Sequence, residues 1–229
     1  MRLFITQNHI SDNTLKLDPE TDHHLRQVIR LRKGDELELV IGEKQLKKIK
    51  IEAVEKGKIN FSLLSESKIA PAKFSITLAQ CLPKQGKFSD ILKMCTEIGV
   101  SHFIPVISER TISKAEKTDR WKKVIESAAQ QSRQVRIPTL SETTPIANLV
   151  EDEYDLKLVL WEQAATPLKS VLKAHQNPKR ILLVVGPEGG LSQSDVESIK
   201  AVPVSLGESI LRTEHAAFFA SAQLLYAIS

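Results

Sequence analysis

Two short loops near the C-terminal end of the chain hold the residues best suited to chemistry. The first is VGPEGGLS, residues 185–192. Gly186, Gly189 and Gly190 let backbone approach a ligand closely and adopt dihedrals closed to other residues. Pro187 stiffens the loop, and Glu188 offers a carboxylate. No GK[ST] follows, so this is not a Walker phosphate loop. The spacing is not G-x-G-x-x-G either, which disfavours a dinucleotide site. The plain alternative is a glycine turn between a strand and a helix. The second loop, SLGESILRTEHA (205–216), carries Leu206, Gly207, Ile210 and Leu211, then Arg212, Thr213 and Glu214. It sets a cation, a hydroxyl and a carboxylate side by side. A third segment, Leu160, Trp161 and Glu162, closes another apolar run. In open α/β sheets ligands bind beyond the carboxyl ends of strands. Three loops at one edge, with polar groups converging on an apolar floor, describe a small-ligand pocket.

Charge points to a second partner. The formal net charge is only +4, but residues 73–136 carry 12 Lys and Arg against 6 Asp and Glu. Residues 137–229 carry 7 against 11. A basic middle segment fits a polyanion such as RNA; the alternative is a solvated, lysine-rich surface. Arg2, Arg26, Arg30 and Arg32 are candidate phosphate contacts, with Arg26 and Arg30 expected on one helical face at i, i+4. His23 and His24 read as helix-surface or packing residues, since no acidic or thiol partner has ligand spacing, and no metal is expected. Cys81 and Cys95 lack C-x-x-C spacing and read as reduced core cysteines. No apolar run approaches the roughly 20 residues that span a bilayer. The start, MRLFITQNHISDN, lacks the features of a signal peptide, so a cytoplasmic location is expected.

The elements that must position these residues fall into two groups. Residues 1–70 predict a small β-rich unit, a compact barrel with one helix. Leu3 to Ile5 starts a strand. Asp18-Pro19 is an N-cap with a first-turn proline, opening a helix expected to carry His23, His24, Arg26, Arg30 and Arg32. ELELVI, KIKIEAV and KINFSLL follow, the last two alternating with period 2 around a Lys56-Gly57 turn. Ile49, Ile51 and Ala53, then Ile59, Phe61 and Leu63, are expected to share a face. Ser65 to Lys73, with Pro71, is the expected linker. From residue 73 to 229, apolar runs (75–82, 103–107, 156–161, 181–185 and 202–206) alternate with helical patterns. Phe88, Ile91, Leu92, Cys95 and Ile98 form one stripe ending at Gly99, and Trp121, Val124, Ile125, Ala128 and Ala129 another. Thr166-Pro167 is expected to cap a helix, and Ser192 with Asp195 to form a capping box. The last helix is apolar nearly all round and should be buried in a core or an interface. This alternation predicts an α/β domain on a mostly parallel sheet.

With those motifs in place, the chain resembles a known family. G-P-E-G-G-L-S followed by L-G-E-S-I-L-R-T-E is similar to the SPOUT-class methyltransferases, and within them to the RsmE family, ribosomal RNA small subunit methyltransferase E. HHLRQVIRLRKGD (23–35), LAQCLPKQGKFSDILKMCTEIGV (78–100), SERT (108–111) and QSRQVRIP (131–138) extend the resemblance along almost the whole chain. His215 departs from the family pattern, which carries a threonine there. The resemblance implies an N-terminal PUA-like β-barrel and a C-terminal α/β domain with a deep trefoil knot. It implies that the knot binds S-adenosyl-L-methionine and that two copies pair as a homodimer. The implied reaction is methylation of N3 of a uridine in 16S rRNA of the small ribosomal subunit. Cofactor contacts are then expected from Leu160, Trp161, Glu162, Gly186, Pro187, Glu188, Gly189, Gly190, Leu206, Gly207, Ile210, Leu211 and Arg212. As the N3 proton leaves, charge grows on the uracil oxygens, and an arginine can stabilise it. Arg212, or Arg136 of a partner subunit, is the expected stabiliser, with Glu188 or Glu214 as base or cofactor ligand. Two other readings stay open: methylation of another base or a ribose 2′-OH, and a non-enzymatic RNA-binding assembly factor.

Overall fold

The structure is a computed structural model that describes residues 2–84, 86–112, 118–149, 154–175 and 177–228. It divides into two compact units. The first comprises residues up to Pro71 together with Gln130–Arg136, and the second the remainder.

In the first unit, strands β1 (Arg2–Ile5), β2 (Ile10–Ser11), β3 (Thr14–Lys16), β4 (Glu36–Ile41), β5 (Gln45–Glu55) and β6 (Lys58–Lys68) form one sheet. Its order is β1-β4-β5-β6-β3-β2, with only β1 and β4 parallel. Alternation places Leu37, Leu39, Ile49, Ile51, Ile59 and Phe61 in a core with Leu3, Leu15 and Leu25. Lys56 and Gly57 turn β5 into β6, Gly57 at φ +75. Three expectations are corrected. Register shifts at Lys48/Ile49 and Ile51/Ala53 break the alternation, so Ala53 is half-buried and Leu63 exposed; a bulge re-aims the side chains beyond it. Residues 65–68 are strand rather than linker, because their backbone pairs with Gln45–Lys48. The helix is also shorter than expected.

That helix starts as the sequence requires. Helix α1 (Pro19–His23) has Pro19 at its first position, and Asp18 accepts the N–H groups of Glu20 and Thr21, both at 3.0 Å. A π-helical turn, His24–Val28, continues it. Arg30 then sits at φ +59. Arg30 and Arg32 therefore lie past the helix end, and Arg26 and Arg30 do not share a helical face. Bonds from the Thr21 hydroxyl and N–H hold the Asp18 carboxyl below its ordinary value of 3.8, against a smaller opposing effect of burial. A depressed folded pKa means that this stabilisation is complete above the unfolded value and drains as pH falls through the folded one. Asp18→Ala is expected to cost about 1 kcal/mol. Urea denaturation should read this as a lowered midpoint at neutral pH, with the gap to the unaltered protein closing below pH 3.8.

In the second unit every pairing of the main sheet is parallel. Strands β7 (Ser75–Cys81), β8 (His102–Ile107), β9 (Thr139–Leu140), β10 (Thr144–Pro145), β11 (Leu156–Leu160), β12 (Arg180–Val185) and β13 (Val202–Val204) run in the order β10-β8-β7-β12-β11-β13, with β9 on β8. Both faces are covered, which is why the strands read as unbroken apolar runs. Ile76, Leu78, Leu158, Ile181 and Leu183 face one core. That core also takes side chains from α2 (Lys87–Ile98), α3 (Thr118–Gln131), α4 (Leu168–Ala174) and α6 (Thr213–Ile228). Ala79, Cys81, Val159, Leu182 and Val184 face the other, against Val196 and Ile199 of α5 (Gln193–Ile199). The α2 and α3 stripes are inward, except that Ile98 and Val124 are half-buried. Gly99 ends α2 at φ +105, and Ser192 and Asp195 form the capping box of α5. Helix α4 has no side-chain cap: Pro167 is the N-cap residue, and Thr166 instead accepts the N–H of Ser205 through its carbonyl. Helix α6 is buried on one side only. Ala217, Ala220 and Leu224 are inward, while Phe218, Phe219 and Tyr226 are exposed, Tyr226 at 89%.

Candidate functional site

Strand register builds the site. Leu160, the last residue of β11, pairs with Val185 on one side and with Val204 on the other. These are the last residues of β12 and β13. The three loops that follow therefore leave the same sheet edge at one level. They enclose a cavity of about 470 Å³ walled by residues 160–162, 185–191 and 204–213, with Ala216. That volume suits one small organic ligand. All thirteen residues expected at the cofactor site stand in this wall. Leu160, Val185, Leu191 and Val204 supply its apolar part, and Glu162, Glu188, Glu208 and Arg212 its charges.

The glycines make the closeness of the walls feasible. Gly190 sits at φ +69, and a Cβ there would stand 3.0 Å from Glu162 Oε1. At Gly186 a Cβ would meet Leu191 Cγ at 2.9 Å, so the loop folds back on its own start. Gly207 is at φ +124, a region closed to other residues.

Polar contacts hold the first loop from several directions. Glu188 accepts the Lys84 N–H through both carboxylate oxygens, at 3.0 and 3.2 Å. Lys87 Nζ lies 3.7 Å from Glu188 Oε1 and 3.3 Å from Glu214 Oε1. It thus bridges the loop and the first turn of α6. Arg110 donates to the Gly189 carbonyl at 3.0 Å. Burial acts to raise the Glu214 carboxyl. A hydrogen bond from its own N–H, the bond and charge of Lys87, and the charge of His215 outweigh it and hold the group below its ordinary value of 4.5. Arg212 differs: among the described residues its guanidinium has no ion-pair partner and is exposed at the cavity rim. Ile210 beside it is 85% exposed.

The other expected residues lie in the first unit. Arg136 donates to the Ala70 carbonyl at 2.6 Å. Arg2 pairs with Glu38 at 2.9 Å and donates to the Arg133 carbonyl. Arg26 pairs loosely with Asp22 at 3.4 Å, and Arg30 and Arg32 are exposed after the helix. Sequence reading missed Gln80 and Lys87. Gln80 had a signal: it is the one amide in a mostly apolar strand. Thr213 was noted in its motif but not counted as part of the site. No group of side chains with metal-binding potential occurs among the described residues.

Comparison with known proteins places the chain in a family. A family model for an RNA methyltransferase domain matches residues 70–225, and one for an RNA methyltransferase PUA domain matches residues 17–64. A ribosomal RNA small subunit methyltransferase E from Synechocystis is 31% identical, over 97% of this chain and 76% of that protein. The chain belongs to the ribosomal RNA small subunit methyltransferase E family. A member of that family from Bacillus subtilis is 27% identical over 93% of this chain and 90% of its own. A crystal structure of the methyltransferase E of Neisseria gonorrhoeae, bound to S-adenosyl methionine, superposes with a TM-score of 0.85. It is 27% identical and covers 98% of this chain and 96% of its own. Family membership thus joins a PUA unit to an α/β methyltransferase unit whose charged, glycine-lined cavity is described above.

Proposed function

We propose that this protein is an S-adenosylmethionine-dependent methyltransferase that modifies N3 of a uridine in 16S rRNA of the small ribosomal subunit. The observation that carries this reading is the cavity at the in-register ends of β11, β12 and β13, in a chain of the methyltransferase E family. Its lining fits the cofactor: an apolar floor for a base, glycine-bearing loops that let backbone come close, and an excess of carboxylates over cations for a positively charged ligand. S-adenosylmethionine supplies a methyl group on a sulfonium and leaves as a neutral thioether. The chain's own residues do the rest. The loops fix the approach of the two reactants, which alone accounts for much of such a reaction's acceleration. Arg212 at the rim stabilises the negative charge that spreads onto the uracil oxygens as N3 loses its proton. Glu188 on the same wall is the candidate base for that proton. Arg136 of a second copy is the further candidate stabiliser.

The first unit, about residues 1–70, is on this reading a PUA-like RNA-binding domain, with Arg2, Arg26, Arg30 and Arg32 against phosphates. Residues 73–229 form the methyltransferase domain. A deep trefoil knot in that domain is supported by the strand order: β12 lies between β7 and β11, β13 lies beyond β11, and the chain then returns to pack α6 on α2, β7 and β12. A homodimer is supported by the exposed apolar face of α6, since contiguous apolar surface marks an interface. A cytoplasmic location follows from the rRNA substrate; no helix among the described residues is long and apolar enough to cross a membrane. Transfer of tritiated methyl to small subunits, followed by nucleoside digestion, tests the reading. Labelled 3-methyluridine is expected. Label on another base or a ribose would shift the assignment to another RNA methylation, and no transfer to RNA would overturn it.

A further inference from the structure

Beneath the cavity lies a neutral hydrogen-bonded tie that none of the charged residues accounts for. Gln80 is fully buried near the end of β7. Its Nε2 donates to Thr213 Oγ1 and to the Cys81 carbonyl, both at 2.9 Å. The carbonyls of Gly186 and Val185 stand farther off, at 3.3 and 3.4 Å. Two N–H donors are thereby used on the two short bonds. The Thr213 hydroxyl in turn donates to the Gly186 carbonyl at 2.6 Å. A single chain of bonds therefore runs from β7, through the first residue of α6, to the first residue of the glycine loop.

Two members of this chain, Thr213 and Gly186, stand in walls of the cavity. Gly186 begins one wall and Thr213 ends another. Fixing the Gly186 carbonyl fixes the peptide plane from which Pro187 to Gly190 depart. Fixing Thr213 fixes where the 205–212 loop must enter α6. The Gln80 Oε1 atom is also buried and has no partner. An orphaned buried acceptor is destabilising, so the fold keeps this amide at a cost that an apolar side chain would avoid.

We propose that Gln80 and Thr213 are positioning residues that preset the two glycine-bearing walls for the methyl donor, an inference that rests on the cavity being the S-adenosylmethionine site. They touch the pocket's frame rather than the reacting atoms. Their effect is preorganisation: without the tie the loops must be ordered at the moment of binding, and affinity falls. Thr213→Val keeps the shape and removes both roles of the hydroxyl. Thr213→Ser keeps the hydroxyl. Gln80→Leu removes the donor beneath it.

The test is calorimetric titration of S-adenosylhomocysteine into the full-length protein and these variants, with the ligand-free unfolding midpoint measured alongside. Thr213→Val and Gln80→Leu are each expected to weaken binding about tenfold, the scale of one lost buried hydrogen bond. The double variant should be little worse than either, because both sever one chain. Thr213→Ser should bind nearly as the unaltered protein does. Unchanged affinity in Thr213→Val, or equal losses in Thr213→Val and Thr213→Ser, overturns the inference, even where the unfolding midpoint falls. Should Gln80→Leu not fold, the Thr213 pair decides alone. No binding by the unaltered protein would overturn the cofactor reading itself, and the inference with it.

Discussion

Replacing Arg212 with alanine is expected to lower single-turnover methyl transfer about a hundredfold, the usual effect of removing one preorganised donor from a developing anion. The expectation comes from what Arg212 does not do in the fold. Lys87 is spent between Glu188 and Glu214, and Arg110 on the Gly189 carbonyl. Arg212 has no such partner among the described residues, yet it stands in the cavity wall one residue before α6 begins. A cation left exposed at the rim of an otherwise anionic cavity is available to a second ligand. Uracil is neutral until N3 loses its proton, so the guanidinium gains most of its interaction as charge reaches the ring oxygens. The effect should then fall on the rate at saturating RNA and cofactor, with cofactor affinity changed little. Arg212→Lys keeps the charge without the planar fork and should recover part of the rate. A near-normal rate in Arg212→Ala would remove the residue from the mechanism.

How much of this was legible in the sequence differs from element to element. The parallel sheet was, because strands buried on both faces, such as ILLVV, carry no polar residue to confuse the period. The pocket was, because glycine loops directly follow those strands. Local signals that depend on one side chain were also readable: Asp18 ahead of Pro19, and Ser192 three residues before Asp195. What failed were features set by long-range pairing. Residues 65–68 look like a polar linker, but their backbone finds Gln45–Lys48 across the hairpin. A bulge displaces Leu63 from the face that strict alternation assigns it. The helix carrying Arg26 ends before Arg30, and a non-glycine residue at φ +59 leaves no mark in a helical pattern. Gln80 is the most instructive miss. A single amide inside ITLAQCL reads as noise until the fold brings Thr213 and Gly186 to it from 133 and 106 residues away. Helix α6 was read, from its all-round apolarity, as buried in a core or an interface; in the single chain Ala217, Ala220 and Leu224 are in the core while Phe218 and Phe219 remain at the surface.

Gly190→Val is the substitution expected to damage cofactor binding most. Two independent penalties meet at this position. The backbone sits at φ +69, where a β-branched residue is strained by about 1–3 kcal/mol. The new Cβ would also stand 3.0 Å from Glu162 Oε1, with the valine methyls reaching farther. Glu162 belongs to the neighbouring wall, on the loop after β11, so relieving the contact turns its carboxylate away from the glycine loop or spreads the two loops apart. If the protein escapes the strain by moving the loop, the Gly190 N–H gives up its 2.9 Å bond to the Pro187 carbonyl, and the glycine turn loses its shape. Either path spoils the same pocket. Together these imply a loss of affinity of about a hundredfold, since each 1.4 kcal/mol is tenfold. Calorimetry with S-adenosylhomocysteine reads it directly. Gly207→Val supplies the comparison. Its φ of +124 carries the strain, but nothing lies within 4 Å of a Cβ there. It should therefore weaken binding less than Gly190→Val. Equal losses at the two positions would mean that backbone strain alone sets the penalty and that the contact with Glu162 adds nothing to it. An unchanged affinity in Gly190→Val would mean that the methyl donor does not occupy this cavity.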